Sequence, residues 1–169
     1  MTTILCYPEP VLSEHAEDVE EIDGRLVETS EEMLRTMYEA RGLGLAGPQI
    51  GLGRRIVVAN HTGEPNDEIT VINPVIVERE DQQMGEEGCL SFPGIYTKIP
   101  RAARILVQAY DLDGNEVRFE AEGLAARLWQ HEIDHLDGVL IVNRMTQVRR
   151  LAAARQLRDL ERQYKRTHT

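Results

Sequence analysis

The pentapeptide His131-Glu132-Ile133-Asp134-His135 limits this chain more than any other stretch. On an α-helix, residues four apart lie one above the other on the same face, so the two imidazoles can grip one metal ion. Glu132, one position along, can reach a water on that ion without being a ligand. The local sequence supports a helix: Glu122 to Gln130 supplies good helix formers, and Gly138 is a natural stop. Leu124, Leu128, His131 and His135 share one stripe, which predicts that both rings point inward. The alternative is two histidines at accidental spacing. A metal reading needs a third ligand from elsewhere in the chain.

With 169 residues, 41% hydrophobic and 28% charged, the chain is expected to be one soluble globular domain, residues 1–169. No apolar run approaches a membrane span, and the N-terminus has no basic-then-apolar signal pattern. A cytoplasmic location is therefore expected, with no membrane partner. Two cysteines, Cys6 and Cys89, argue against a disulfide scaffold, and Cys6 reads as a small buried hydrophobe. The net charge of −10 argues against the whole protein being a nucleic-acid binder, and no DNA partner is expected. The charge is uneven, however. Residues 9–39 are strongly acidic, whereas 144–166 carry Arg144, Arg149, Arg150, Arg155, Arg158, Arg162, Lys165 and Arg166.

In chain order, residues 1–22 read as an extended arm with a turn at Tyr7-Pro8-Glu9-Pro10. A helix is predicted from Asp23, as N-cap, to about Ala40, with Leu26, Met33, Leu34, Met37 and Tyr38 as its stripe and Gly42 as its stop. The Gly-rich segment 42–53 lacks the Lys-Ser/Thr ending and preceding strand of a phosphate cradle, and reads as a loop in which Gln49 is the one long polar side chain. Strands are predicted at 54–60, 69–79, 102–110 and 116–120, with Asn73-Pro74 interrupting the second and Asp111 to Asn115 turning the last pair into a hairpin. A final helix over about 147–165 places Ala153, Leu157, Leu160 and Tyr164 on one face. Hairpin rather than helical connections predict an α+β fold: short, mainly antiparallel strands around a central metal-binding helix, with an N-terminal and a C-terminal helix.

The stretch Glu86-Glu87-Gly88-Cys89-Leu90-Ser91 supplies a candidate third ligand, giving a Cys-His-His set with one open position. Together, Gly42-Leu43-Gly44-Leu45-Ala46-Gly47-Pro48-Gln49, Glu87-Gly88-Cys89-Leu90-Ser91 and Gln130-His131-Glu132-Ile133-Asp134-His135 resemble the three signature motifs of bacterial peptide deformylases, in order and in spacing. The resemblance extends through Ile72-Asn73-Pro74 and the Asp111 hairpin. Gly47 departs from it, since alanine is usual there, and so does the acidic start of the chain.

The resemblance implies a metal-dependent hydrolase that removes the formyl group from N-terminal formyl-methionine of new polypeptides and releases formate. It implies Cys89, His131 and His135 as ligands of Fe²⁺, with Zn²⁺, Ni²⁺ or Co²⁺ as substitutes, and Glu132 as the acid–base residue. The Gln49 side chain and Leu90 N–H would face the oxyanion. The main chain of Leu43, Gly44 and Gly88 would pair with the substrate, and Leu124 and Leu128 would wall in its methionine. The stem of Arg127 would lie beside that wall with its head in water. In some relatives the basic terminal helix docks on the ribosome; here that docking and a merely solvated helix face both stay open. Two other readings stay open. One is a zinc endopeptidase, on the HExxH pattern alone; the other is a non-catalytic relative that binds formylated ends or ribosomes.

Overall fold

The computed structural model describes residues 2–169; Met1, the first residue of the expected arm, lies outside the described residues. Helix α1 spans Gly24–Glu39, and Asp23 caps it as expected, its carboxylate accepting from Leu26 N at 3.1 Å. Its stop differs from the expectation. Arg41, not Gly42, takes the left-handed conformation, while Gly42 N–H reaches back to Met37 O at 3.0 Å. Met33 and Met37 are buried, but Tyr38 is substantially exposed.

Five strands form one antiparallel meander in chain order: β1 Gly44–Ala46, β2 Ile56–Ala59, β3 Ile69–Cys89, β4 Phe92–Tyr110 and β5 Glu116–Glu122. Two of these are not short. The predicted strands 69–79 and 102–110 are only the inner halves of a hairpin whose arms are 21 and 19 residues long. The outer half of β3 is mostly exposed and polar, so it carries no period-two apolar signal. In β4, Ile95, Thr97, Ile99 and Arg101 do alternate inward, but Thr and Arg break the apolar pattern and two prolines interrupt it. The interruption at Asn73-Pro74 is a register shift between Ile72 and Val75, with Asn73 at φ 50°. The segment expected as a loop before Gln49 is partly strand β1.

Both faces of β2 are buried. Ile56 and Val58 pack with Met33 and Met37 of α1. Val57 and Ala59 face α2, Gly123–Leu136, where they join Trp129, Ile133 and Leu136. Strand β5 leads straight into α2 at Gly123, and every α2 residue from Ala126 to Leu136 is buried. The central helix of the predicted α+β fold is thus enclosed, and its interior position forces its polar side chains to find partners within the protein. A second apolar cluster joins Phe92, Ile95 and Ile99 of β4 to Leu140, Ile141, Val142, Met145 and Leu157. The predicted final helix breaks at Ala153 into α4, Gln147–Ala152, and α5, Ala154–Thr167, preceded by the single turn α3, Ile141–Arg144. Among the described residues, no helix is long and apolar enough to cross a membrane.

Helix α2 ends where the sequence indicated. Gly138 lies at φ 71°, its N–H bonds His135 O, and Val139 N–H bonds Asp134 O. A side chain there would also meet Ser13 O at 2.7 Å. Gly114, at φ 83° in the hairpin turn, has open space around it. Gly114→Ala should therefore cost only the backbone penalty of about 1–2 kcal/mol. Gly138→Ala should lose about 1–3 kcal/mol more, from steric overlap against the N-terminal segment. Chemical denaturation of the two variants measures the difference; equal losses would show that the Ser13 backbone yields freely.

Candidate active site

The end of β3 and the last turns of α2 bring Cys89, His131 and His135 together. Their donor atoms all lie within 4.8 Å of one another, and Cys89 Sγ is 3.3 Å from His135 Nε2. The tight Leu90-Ser91 turn and a register shift between Gly88 and Cys89 end the hairpin at this point. The sequence stripe held for the histidines and Leu128, all buried. It did not hold for Leu124, which is 58% exposed. Leu124 nevertheless lines the cavity beside the cluster.

That cavity measures about 550 Å³ and is walled by Leu43, Gly44, Gln49, Gly88, Cys89, Leu90, Leu124, Leu128, His131 and Glu132, with Arg41, Tyr96 and Arg127 among the remaining lining residues. Every residue that the sequence put forward for the site borders it except His135, which lies behind Cys89. Gly44 and Glu132 fit each other closely: a side chain on Gly44 would meet the Glu132 carboxyl at 3.0 Å. Gln49 is buried in a 3₁₀ turn, Gly47–Ile50, and its Oε1 accepts from Ala46 N at 3.0 Å. The departure at Gly47 has a local reason. A Cβ there would meet Arg54 O at 2.5 Å and Leu52 O at 2.9 Å, so this loop packs too closely for alanine without adjustment.

Glu87 is the principal site residue that the sequence reading missed. Its Oε1 holds His131 Nδ1 at 2.9 Å, so the other ring nitrogen, Nε2, is left to face the cluster. Arg101 grips Glu87 through two nitrogens, each at 2.8 Å, and reaches Asp134 at 2.6 Å. Arg144 then holds Asp134 from the other side. The expected exposure of the Arg127 head is wrong. Arg127 is buried, and its Nη1 donates to Glu87 and to Ile99 O, because the enclosed Glu87 carboxylate draws it inward. No period-two apolar signal in this part of the chain singles out Glu87, and nothing in the sequence pairs Arg101 with Asp134.

The electrostatics follow from this enclosure. Burial opposes the charge of Glu87, but the hydrogen bonds and charges of Arg101 and His131 outweigh it and hold the carboxyl at about 2. Burial also opposes a charge on His131, yet Cys89 and Glu87 draw its pKa well above the ordinary value. His135 is pushed well below the ordinary value by burial, then by the charges of His131 and Arg101, so it is neutral and offers a lone pair. Burial pushes Glu132 up to about 7, the charge of His131 only partly opposing it. Among the described residues, Glu132 Oε2, buried, has no hydrogen-bond partner. A thiol, two imidazoles of which one is held by a carboxylate, and an unpartnered carboxylate oxygen suit a divalent ion with one position left for water.

Comparison with known proteins agrees with this chemistry. A model of the polypeptide deformylase family matches residues 1–151. A peptide deformylase of Acidobacterium capsulatum is 44% identical over 161 residues, covering 94% of this chain and 95% of that protein. One from Chromobacterium violaceum is 43% identical over 163 residues, covering 96% and 98%. The peptide deformylase structure from Plasmodium falciparum superposes with a TM-score of 0.95 at 37% identity, covering 99% of each chain. That from Thermus thermophilus gives 0.88 at 42%, covering 96% of this chain and 99% of that one.

Loss of the Glu87 carboxylate should act on the metal as well as on the fold. Glu87→Gln is expected to weaken metal affinity about 10- to 100-fold, by releasing the His131 ring. Competition against a chromogenic chelator checks it, with unchanged affinity counting against the His131–Glu87 bond as a control on the ligand. The motifs, the enclosed cluster and the similarity over nearly the whole length converge: this chain belongs to the polypeptide deformylase family of metal-dependent hydrolases.

Proposed function

We propose that the chain removes the formyl group from formyl-methionine at the N-termini of new polypeptides, releasing formate, and acts in the cytoplasm as one catalytic domain, 1–169. The observation that carries this reading is the convergence of Glu132, the Gln49 amide, Cys89 and His131 on one cavity with backbone edges and apolar walls, His135 completing the cluster beside Cys89. Fe²⁺ is the proposed ion, with Zn²⁺, Ni²⁺ or Co²⁺ as substitutes. When bound, it supplies the Lewis acidity that makes water a nucleophile at neutral pH.

The residues supply the rest. Glu132 takes the proton of the attacking water and delivers it to the amine as the formyl C–N bond breaks. The Gln49 amide and the Leu90 N–H donate to the oxyanion that develops on the formyl oxygen. The substrate main chain lies against Leu43, Gly44 and Gly88, a mode that leaves the residues after methionine weakly selected. Leu124 and Leu128 wall in the methionine side chain, which accounts for a leucine that is more than half exposed. The buried Arg127 guanidinium closes part of that wall. Cys89 as third ligand, on a hairpin rather than downstream of the helix, favours this reading over a zinc endopeptidase. The presence of Glu132 and Gln49 favours it over a relative that only binds.

The exposed basic side chains of α5, Arg155, Arg158, Arg162, Lys165 and Arg166, are proposed to dock on ribosomal RNA. Leu157 anchors the opposite face of α5, so the charges can be changed without uncovering the core. Replacing Arg155, Arg158 and Arg162 together by Glu should abolish co-sedimentation with ribosomes at low salt; undiminished co-sedimentation overturns the docking.

Formate release from formyl-Met-Ala, with the unformylated peptide as control, tests the reaction on anaerobically prepared protein. Glu132→Ala should keep its metal and lose at least about 100-fold in kcat, the scale of a general acid–base residue. Gln49→Ala should lose about 100- to 1000-fold, the usual cost of one oxyanion donor. Cleavage of the inner peptide bond without formate would replace the deformylase reading by the peptidase one.

A further inference from the structure

Gln49 is useful to an oxyanion only if its amide nitrogen, not its oxygen, faces the ligand cluster. The two ends of a glutamine amide have nearly the same shape, so packing alone does not choose between them. One end is settled by Ala46 N–H, a donor, which requires Oε1. The other end meets Ser91 Oγ at 3.1 Å. A hydroxyl both donates and accepts, so by itself it would tolerate either orientation of the amide.

Ala46 thus selects the orientation, and the N-terminal arm commits Ser91 to it. Ser91 Oγ lies 2.7 Å from Leu5 O, a carbonyl that only accepts. The hydroxyl proton is therefore committed to Leu5, and Ser91 Oγ faces Gln49 as an acceptor, which demands Nε2. One N–H of the amide is held on Ser91 and the other remains for the site, with Nε2 3.8 Å from Cys89 Sγ. The arm is itself fastened to both partners: Leu5 N–H donates to Gln49 O at 2.7 Å, and Tyr7 N–H donates to Ser91 O at 2.9 Å. Ser91 and Gln49 are fully enclosed, at 0% and 1% exposure, so water does not substitute for a lost partner at low cost.

We infer that Ser91, with its hydroxyl polarised by the Leu5 carbonyl, is a positioning residue that holds Gln49 Nε2 toward the cluster, in the orientation that the Ala46 N–H selects. The inference rests on the reading of Gln49 as an oxyanion donor. It makes the N-terminal arm part of the catalytic apparatus, although none of the described arm residues lines the cavity.

A double-mutant cycle separates the two readings. Formate release, metal content and thermal denaturation are measured for the wild type, Ser91→Ala, Gln49→Ala and the double variant, with Ser91→Thr as the form that keeps a hydroxyl. Ser91→Ala should lower kcat about 10- to 100-fold, the usual effect of a misplaced catalytic group, with its metal retained and KM within about threefold. Ser91→Thr should recover most of that loss. In the absence of the Gln49 amide, Ser91→Ala should change kcat by less than about twofold, since the two side chains act as one unit. An equal cost of Ser91→Ala in both backgrounds, or a folded Ser91→Thr as slow as Ser91→Ala, overturns the inference and leaves the oxyanion reading standing. No effect of Gln49→Ala alone overturns the oxyanion reading and this inference with it. If Ser91→Ala does not fold, Ser91→Cys, of similar size but a poor acceptor, takes its place with the same expectations.

Discussion

The Glu87–Arg101–Asp134 chain of ion pairs joins the three elements on which the site depends. Glu87 is on β3, Arg101 on β4 and Asp134 on α2. Both Glu87 and Arg101 are almost wholly buried, so neither charge can be left alone; removal of one partner of such a pair typically costs about 3–5 kcal/mol. A slip in the register of the long hairpin, or a rotation of α2, would strand a charge in the interior. The network therefore acts as a registry device, holding Cys89 opposite the two histidines. Apolar contacts between the sheet and α2 supply the larger driving force, but they tolerate small rotations that a bidentate Arg–carboxylate pair does not.

The same constraint has a chemical consequence at the site. Glu87 is required by Arg101 and Arg127 for structural reasons, and its remaining lone pairs then orient His131. Across the cluster, Gln49 is oriented by Ala46, Ser91 and Leu5. The His131 ring and the Gln49 amide thus have their geometry set by separate sets of buried polar bonds, one centred on the hairpin and α2, the other on the N-terminal arm and the loop before β2. Glycines at 44 and 47 allow these groups to approach where a Cβ would separate them. Such fixed dipoles need no reorganisation as charge develops, which is the main way an enclosed site lowers a barrier.

Much of the fold could be read from residue pattern where the pattern had one period. The α1 stripe around Met33 and Met37, the Asp23 cap, the Gly138 stop and the Asp111 to Asn115 hairpin all follow from local rules, and all are present. The failures have a common cause. The outer half of β3 turns polar or small residues, Gln83, Gly85 and Glu87, toward the protein, β4 buries Thr97 and Arg101 among its isoleucines, and β1 is three residues within a glycine-rich run. None of these shows the alternation by which a strand is recognised. Leu124 was placed on the buried stripe of α2 because helical spacing says which residues share a face, but not how far the rest of the protein covers that face.

Sequence alone determined the chemical types at the site: two imidazoles one helical turn apart, a carboxylate beside them, a thiol within a glycine-flanked motif, and one amide in an otherwise apolar loop. These are carried by short motifs, within which spacing and local conformation set the geometry. Only the tertiary structure decided their partners. Glu87 with His131, Arg101 with Asp134, Arg127 with Glu87, and Ser91 with Leu5 and Gln49 pair residues far apart in the chain. Each such pairing is enforced by burial, which makes an unpaired polar group costly and any nearby acceptor or cation its necessary complement. That enforcement appears only once the chain is folded, which is why His131-Glu132-Ile133-Asp134-His135 disclosed two imidazoles and a carboxylate on one helix but not the partners of Asp134 between them.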